Sequence, residues 1–468
     1  MSDATRGRKG ILLILTVVAF VSLMDGLDGS IVNVAMPAMA GYFGTDTGTI
    51  AWVAVTYYVV LAGSLITFAR VSKNGMLKKV LLIGLILFTV TSFLCGISTS
   101  FQMLLVSRLM QGVGAAMMAA AVPIACLKYL PASNLGLGMG VLTLGSSLGF
   151  ALGPVVGGLI TDMISWHWIF LINVPLGLIV IPLLMKVIPN DERYSGSVDI
   201  VGAILLFLAI LCGVLALERI PYAEDTPMVI LSAIVCVLSL TAFIAVEVRK
   251  KDPLLNLRIF KHWKFNSVLV AYAQANLVYM GLLYLLPFYM MVCMGFPSSK
   301  TGMFILISPL LTLLLCVPIS RWSDRTERRA FAVASCSLMM LSCLIMALFS
   351  SRSMVLPLVA TLVCMGLMWA LCGGPMAGRI IENIEDESRE MGSSVMFEFI
   401  YLGCTIGTAL FAMLFTVGSG SGNVSFSDLP PDIFIDGFVF AAAIGTLLAA
   451  ITIVLSSIVK EPKKMRLA

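Results

Sequence analysis

Apolar runs of about twenty residues recur from one end of this chain to the other, and they constrain its fold more than any other feature. A bilayer core roughly 30 Å thick is crossed by about 20 residues of α-helix. With that ruler the chain divides into fourteen spans, near 11–40, 48–70, 77–97, 101–129, 135–162, 166–187, 199–217, 227–247, 266–293, 301–320, 330–350, 354–378, 391–417 and 434–458. Hydrocarbon offers no partner to a backbone amide, so such segments fold as helices that satisfy their own hydrogen bonds. Composition agrees: of 468 residues, 59% are hydrophobic and 12% charged, with mean hydropathy +1.02. A soluble domain carries about 25% charged residues. The expected fold class is all-α integral membrane, a multi-pass protein of the cell membrane.

The basic residues orient the spans. When the spans are threaded alternately, all but four of the 30 Lys and Arg collect on one side, in clusters such as Arg6 to Lys9, Arg70 to Lys79, Arg249 to Lys264 and Lys460 to Arg466. Arg219, Lys300 and Arg352 fall on the other side, and Arg108 falls within a span. This bias puts both termini in the cytoplasm and supports an even number of spans. The opening MSDATRGRKG runs into the first span without a small-residue cleavage site, so it reads as a retained cytoplasmic end rather than a signal peptide. The basic stretch VEVRKKDPLLNLRIFKHWKF precedes the last six spans. It divides the chain into an N-terminal six-helix bundle (1–190), two additional helices (191–250) and a C-terminal six-helix bundle (251–468). Two bundles facing one another are the layout of a secondary transporter.

Other functions are disfavoured. The net charge of +5 belongs to the loop asymmetry and is no argument for nucleic acid. Eleven cysteines form no CxxC and nearly all lie in apolar runs, so they read as packing residues. His167 and His262 are too few and too far apart for a metal site. The chain holds no GxxxxGK[ST] or HExxH and no soluble segment of enzyme size. The reading is therefore no enzyme, no cofactor and no metal, with an ion gradient rather than ATP as the driving force.

The fifth span contains GSSLGFALGPVVGG, with Gly145, Gly149, Gly153 and Gly157 at every fourth position and Pro154 and Gly158 beside them. Four glycines at that spacing line one slowly drifting ridge of a helix, where another backbone can approach closely. This stretch resembles the antiporter motif of the major facilitator transporters, and within them the fourteen-span drug:proton antiporters. LDGSIVNVAMP (27–37) is similar to that branch's first-helix motif, RLMQGVGAA (108–116) to its fourth-helix motif, and WHWIFLINVPLG (166–177) to its sixth-helix stretch, with His167 for the usual Arg. The resemblance covers the whole chain and implies a major facilitator fold with fourteen transmembrane helices. One departure stands out. The gating loop after the second helix normally carries an Asp, but here reads ARVSKNGMLKK, with Arg70 kept and Lys73 in the acid's place. The second copy, SRWSDRTERR, keeps Asp324 and Arg325.

Ionisable side chains inside spans are costly and mark function by default. Asp25 and Asp28 stand three apart on roughly one helix face. Burial favours the neutral acid, and a second acid nearby pushes the same way, so the pair is a candidate proton carrier. The resemblance assigns the role more narrowly to Asp28. Arg108, the one basic residue read as lying within a span, is the cation that would set when the proton leaves, with Gln111 one turn on. In span thirteen Glu398, Tyr401, Thr405 and Thr408 form a polar stripe, and in span nine Tyr272, Asn276 and Tyr279 share a face, with Gln274 off it. The expected proton-coupling residues are Asp28, Asp25, Arg108 and Glu398. The expected substrate contacts are Asn33, Gln111, Tyr272, Asn276, Tyr279, Glu398 and Tyr401. Aromatic rings and amides beside an acid suit bulky, lipophilic, cationic ligands.

The sequence thus reads as a proton-coupled antiporter, a monomer in the lipid bilayer, that exports amphipathic small molecules by alternating access, in the manner of multidrug efflux and drug resistance. Export of a dedicated lipid, fatty acid or metabolite is the second reading, because one fold carries many cargoes. A non-transporting sensor or scaffold is the third, disfavoured by titratable groups in several spans. A prediction follows from the gating loops. Asp324→Asn should slow turnover more than Lys73→Asn, because only the second copy keeps its acid; equal transport rates for the two variants in proteoliposomes would overturn this.

Overall fold

Apolar on most sides, the runs can satisfy their backbone only within themselves, and they do so as helices. The computed structural model describes residues 8–191, 199–250, 253, 255, 257–323, 326, 328–352, 354–382, 389–420, 424 and 428–458. Among the described residues there is no strand. In chain order the helices are α1 (Arg8–Phe43), α2 (Trp52–Val71), α3 (Leu77–Gly96), α4 (Phe101–Tyr129), α5 (Ala132–Met163), α6 (Asn173–Val187), α7 (Ile200–Arg219), α8 (Thr226–Arg249), α9 (Trp263–Val292), α10 (Ile307–Ser323), α11 (Arg328–Phe349), α12 (Val355–Glu382), α13 (Arg389–Ser419) and α14 (Pro431–Ile458).

Thirteen continuous stretches of the described residues are long and apolar enough to cross a membrane. One of them, Thr47–Gly96, has 50 residues, about 75 Å of helix at 1.5 Å per residue and far more than one crossing needs. It bends at Ser72–Met76, where Gly75 has a φ of 117° that a residue with a Cβ rarely adopts. The stretch is therefore two crossings, α2 and α3, and the total is fourteen.

Three boundaries differ from the sequence reading for local reasons. Residues Trp168–Leu171 form a separate turn before α6, because Pro175 lacks the N–H that would bond the carbonyl of Leu171. A short helix, Ser298–Ile305, precedes α10 and is offset from it at Leu306. Finally, α12 runs on to Glu382 and buries Arg379 completely, so Arg108 is not the one cation enclosed by helices.

The helices α1 to α6 pack on one another, chiefly α1 on α5, α3 on α4 and α2 on α4. Likewise α9 packs on α13 and α14, α11 on α12 and α14, and α10 on α12. Between these sets α2 meets α13, α1 meets α9, and the helix Ser298–Ile305 lies on α5. The additional helix α7 is not confined to the edge of the molecule. Much of its surface is exposed, but it packs on both α2 and α13 and so closes the seam between the two sets. At the end of the molecule away from the basic loops the sets are tied together directly. The Asp162 carboxylate of α5 accepts the N–H groups of Ser298 (3.1 Å) and Ser299 (2.7 Å), and the Tyr284 hydroxyl of α9 donates to the Thr47 carbonyl.

The glycine ridge is what lets α5 lie against α1. A Cβ at Gly145 would stand 2.8 Å from the Ala19 carbonyl oxygen, one at Gly149 2.6 Å from the Leu27 nitrogen, and one at Gly157 2.7 Å from the Ile31 side chain. Gly153 faces Ser30, and Gly158 faces Ser298 and Ser299 of the other set. Gly140 on the same helix has nothing within 4 Å of a Cβ. Gly149→Ala should therefore lower stability by about 1–3 kcal/mol through overpacking, while Gly140→Ala should leave it unchanged or raise it by up to about 1 kcal/mol through helix propensity. Thermal unfolding of the purified variants in detergent measures both, and equal midpoints would refute the close-approach argument.

Candidate functional site

Asp28 sits at the middle of α1 with no exposed surface. Its Oδ2 accepts from Arg108 Nη1 at 2.7 Å, and its Oδ1 accepts from Gln111 Nε2 at 3.0 Å and Asn173 Nδ2 at 3.3 Å. Arg108 is also fully engaged. Its Nη1 reaches Gln111 Oε1 at 2.7 Å, its Nε donates to the Val53 carbonyl at 2.9 Å, and its guanidinium lies 4.4 Å from the ring centre of Tyr57. Gln111 Nε2 also donates to Ser92 Oγ at 2.8 Å. One buried network thereby joins α1, α2, α3, α4 and α6. Gln111, expected among the substrate contacts, has both amide atoms engaged here; Asn33 is buried nearby on α1 but takes no part in the network.

One turn earlier, Asp25 has a different environment. It is half-buried, and its Oδ1 receives a single long hydrogen bond of 3.4 Å from the Tyr57 hydroxyl. No cation pairs with it among the described residues. Across the seam, Glu398 of α13 is 4% exposed, and neither carboxylate oxygen has a hydrogen-bond partner among the described residues. Tyr401, one turn on, lies within electrostatic reach of both Asp25 and Glu398. The expected acids are thus brought to one seam in two kinds of setting. Asp28 is matched by a cation and two amide donors, whereas Asp25 and Glu398 are nearly unmatched.

The α9 face is aromatic and deeply buried. Tyr272 and Tyr279 flank Trp369 of α12, with ring centres 6.1 and 5.5 Å from it, and the Tyr279 hydroxyl bonds Ser308 Oγ at 3.2 Å. Asn276 donates to the Tyr272 carbonyl at 3.3 Å, while its Oδ1 lacks a partner among the described residues. Gln274 points off this face and donates to the Leu448 carbonyl of α14. Two members of the α13 stripe differ from expectation. The hydroxyls of Thr405 and Thr408 donate to their own helix, at the carbonyls of Tyr401 and Cys404, as hydroxyls four residues on in an apolar helix commonly do. What offers polarity to the seam from α13 is therefore Glu398 and Tyr401.

At the basic end, the loop that lacks its acid is served by another. Asp191, just beyond α6, accepts the N–H groups of Lys78 (2.7 Å) and Lys79 (2.9 Å) at the start of α3. A carboxylate is favourable there because the first-turn amides of a helix have no partners of their own. Arg70 Nη1 donates to the Pro253 carbonyl at 2.6 Å, tying α2 to the linker before α9. Asp324 and Arg325 lie outside the described residues. His167, standing for the usual Arg, stacks on Trp166 with ring centres 3.7 Å apart and meets the Ser98 carbonyl at 3.2 Å.

A helix bundle of this order, with a buried Asp–Arg pair beside a glycine ridge, can be compared with known proteins. The profile of the Major Facilitator Superfamily matches residues 18–408. The chain belongs to that superfamily. It is similar to a riboflavin transporter, RibZ, of Clostridioides difficile (strain 630), 28% identical over 406 residues that cover 86% of this chain and 88% of that one. It is also similar to a putative multidrug resistance protein, MdtD, of Yersinia pestis (strain Pestoides F), 27% identical over 401 residues that cover 86% of each. Among solved structures, a bacterial homolog of the human lysosomal transporter Spinster, inward-facing and unoccupied, superposes with a TM-score of 0.69 at 12% identity, over 97% of each chain. That likeness establishes the fold. The protein is a multi-pass membrane transporter and not an enzyme.

Sequence reasoning missed Asn173, Trp369 and Asp191. Asn173 lies inside the quoted stretch WHWIFLINVPLG, so a signal for it existed; Trp369 and Asp191 become visible only when distant helices meet. The network yields a prediction for this transporter. Arg108→Ala leaves Asp28 buried without its cation. Stability should fall by about 3–5 kcal/mol, and the neutral pair Asp28→Asn with Arg108→Gln should recover most of that loss. Unfolding midpoints of both variants in detergent decide it; a single variant as stable as the parent would show that the pair is not structurally required.

Proposed function

We propose that this transporter is a proton-coupled antiporter that exports amphipathic, cationic or lipophilic compounds by alternating access. The carrying observation is the contrast among three acids at one seam: Asp28 paired to Arg108 at 2.7 Å, and Asp25 and Glu398 without a cation among the described residues. A paired carboxylate holds its charge, while an unpaired one in a low-dielectric site favours the proton. Proton arrival at Asp28 would release Arg108 from the network, and proton loss would reform it, so that the packing of five helices depends on the proton. Glu398 and Tyr401, with Tyr272, Tyr279 and Trp369 nearby, supply charge and ring faces for a lipophilic cation. The relative named as a multidrug resistance protein supports the cargo class.

In this reading residues 1–190 and 251–468 move as two bundles, with both termini in the cytoplasm, and the working unit is a monomer. The helices of 191–250 ride between the bundles. The glycine ridge and the Asp162 bonds would then seal the outer end. A second reading, export or uptake of one flat aromatic metabolite, is supported by the relative named as a riboflavin transporter and by the aromatic α9 face.

The experiment is proton release on substrate addition to purified protein across pH, with lipophilic cationic dyes and riboflavin as probes. Dyes should release protons in the parent. Asp28→Asn should still bind dye but lose exchange driven by a pH gradient, and Asp25→Asn should keep exchange with a shifted pH profile, because a neighbouring like charge has gone. Full coupling in Asp28→Asn would overturn the assignment, and proton release with riboflavin alone would favour the second reading.

A further inference from the structure

Outside the Asp28 network, at the end away from the basic loops, α7 carries another buried acid. Glu218 is 3% exposed, and its Oε2 has no hydrogen-bond partner among the described residues. The cation beside it in sequence is committed elsewhere: Arg219 Nη1 pairs with Asp225 at 3.0 Å. Four parts of the molecule meet around this carboxyl. The turn between α1 and α2 brings Asp46, whose Oδ1 accepts from the Tyr222 hydroxyl at 2.9 Å and from Thr49 N at 2.9 Å. From α9, Tyr284 bonds the Thr47 carbonyl, and from α13 the Thr416 hydroxyl lies 3.1 Å from where a Cβ on Gly48 would be. The titratable and charged groups within electrostatic reach of Glu218 are Asp46, Arg219, Tyr222 and Tyr284.

A carboxyl that is 3% exposed, with Oε2 lacking any partner among the described residues and Asp46 in reach, is disfavoured as an anion even with the Arg219 charge nearby. Fuller access of water, which comes with loosening of this junction, favours the anion. We propose that Glu218 is a second proton-binding site, on the additional helix pair, whose protonation is required for the end of the transporter away from the basic loops to close. Closing takes up a proton at Glu218 and opening releases it. The site is separate from the Asp28 network and rests on the alternating-access reading only in that this end must open. It also gives α7 a role in transport. Because α7 bridges α2 and α13, its acid responds directly to their separation.

The test is hydrogen–deuterium exchange of the purified, full-length protein in segments 44–51 and 216–226, at mildly acidic and mildly alkaline pH, corrected for the intrinsic pH dependence of exchange. The parent should be more protected at acidic pH. Glu218→Gln should be protected at both, so that the pH dependence is lost, and Glu218→Asp should restore it. Asp28→Asn should retain it, which separates a failure here from a failure of the proton-carrier assignment. An unchanged pH response in Glu218→Gln, or none in the parent, overturns the proposal. Protection by sodium in place of potassium at alkaline pH would also overturn it, assigning the acid to a metal cation. Should Glu218→Gln not fold, peptide mapping of the parent after treatment with a hydrophobic carbodiimide serves instead. Labelling of Glu218 that rises toward acidic pH is expected, and no labelling there counts against the site.

Discussion

The rest of the first bundle is arranged around one ion pair, Asp28 to Arg108, enclosed with no more than 1% of either side chain exposed. Removing two charges from water costs several kcal/mol each, and their attraction offsets this only when every remaining donor and acceptor is satisfied. Gln111, Asn173 and the Val53 carbonyl supply partners to the pair and Ser92 holds Gln111, and these residues come from α4, α6, α2 and α3 respectively. The pair therefore dictates how five helices must stand.

Close backbone approach complements this polar centre. The α5 glycines set α5 directly on α1, and Gly403 and Gly407 do the same for α13 on α9, where a Cβ at Gly403 would stand 2.6 Å from the Ala273 carbonyl. In a membrane, helices gain little from hiding apolar surface, since lipid is equally apolar, and contact area and hydrogen bonds decide instead. Small residues maximise that area. The two bundles repeat one device, while the acids differ: the first pairs Asp28 with a cation and leaves Asp25 nearly unmatched, and the second holds Glu398 without a partner among the described residues.

Much of this was legible without coordinates, for physical reasons. Hydrocarbon forces each span to be a helix of known length, so the fourteen crossings followed from apolar runs, and α4 begins and ends where the run 101–129 does. Asp28, Arg108 and the glycine ridge stood out because charge and repeated glycine are rare and costly in such surroundings. The readings that went astray depend on what a side chain meets. Thr405 and Thr408 extended the polar stripe of span thirteen but bond their own helix, Gln111 was expected at the substrate but is held by Arg108, and Arg379, just past the span 354–378, is enclosed.

By itself, then, the sequence determined the class of the protein, the number of its helices, and which rare polar residues had to find partners, because the energetics of a chain in lipid depend on composition along a segment. The tertiary structure alone decided who those partners are. It placed Asn173 on Asp28, Trp369 between Tyr272 and Tyr279, Asp191 at the loop that had lost its acid, and Glu218 at the junction of α7 with both bundles. Each of these pairings joins residues from different helices, and nothing in the local pattern of either helix encodes the distance between them.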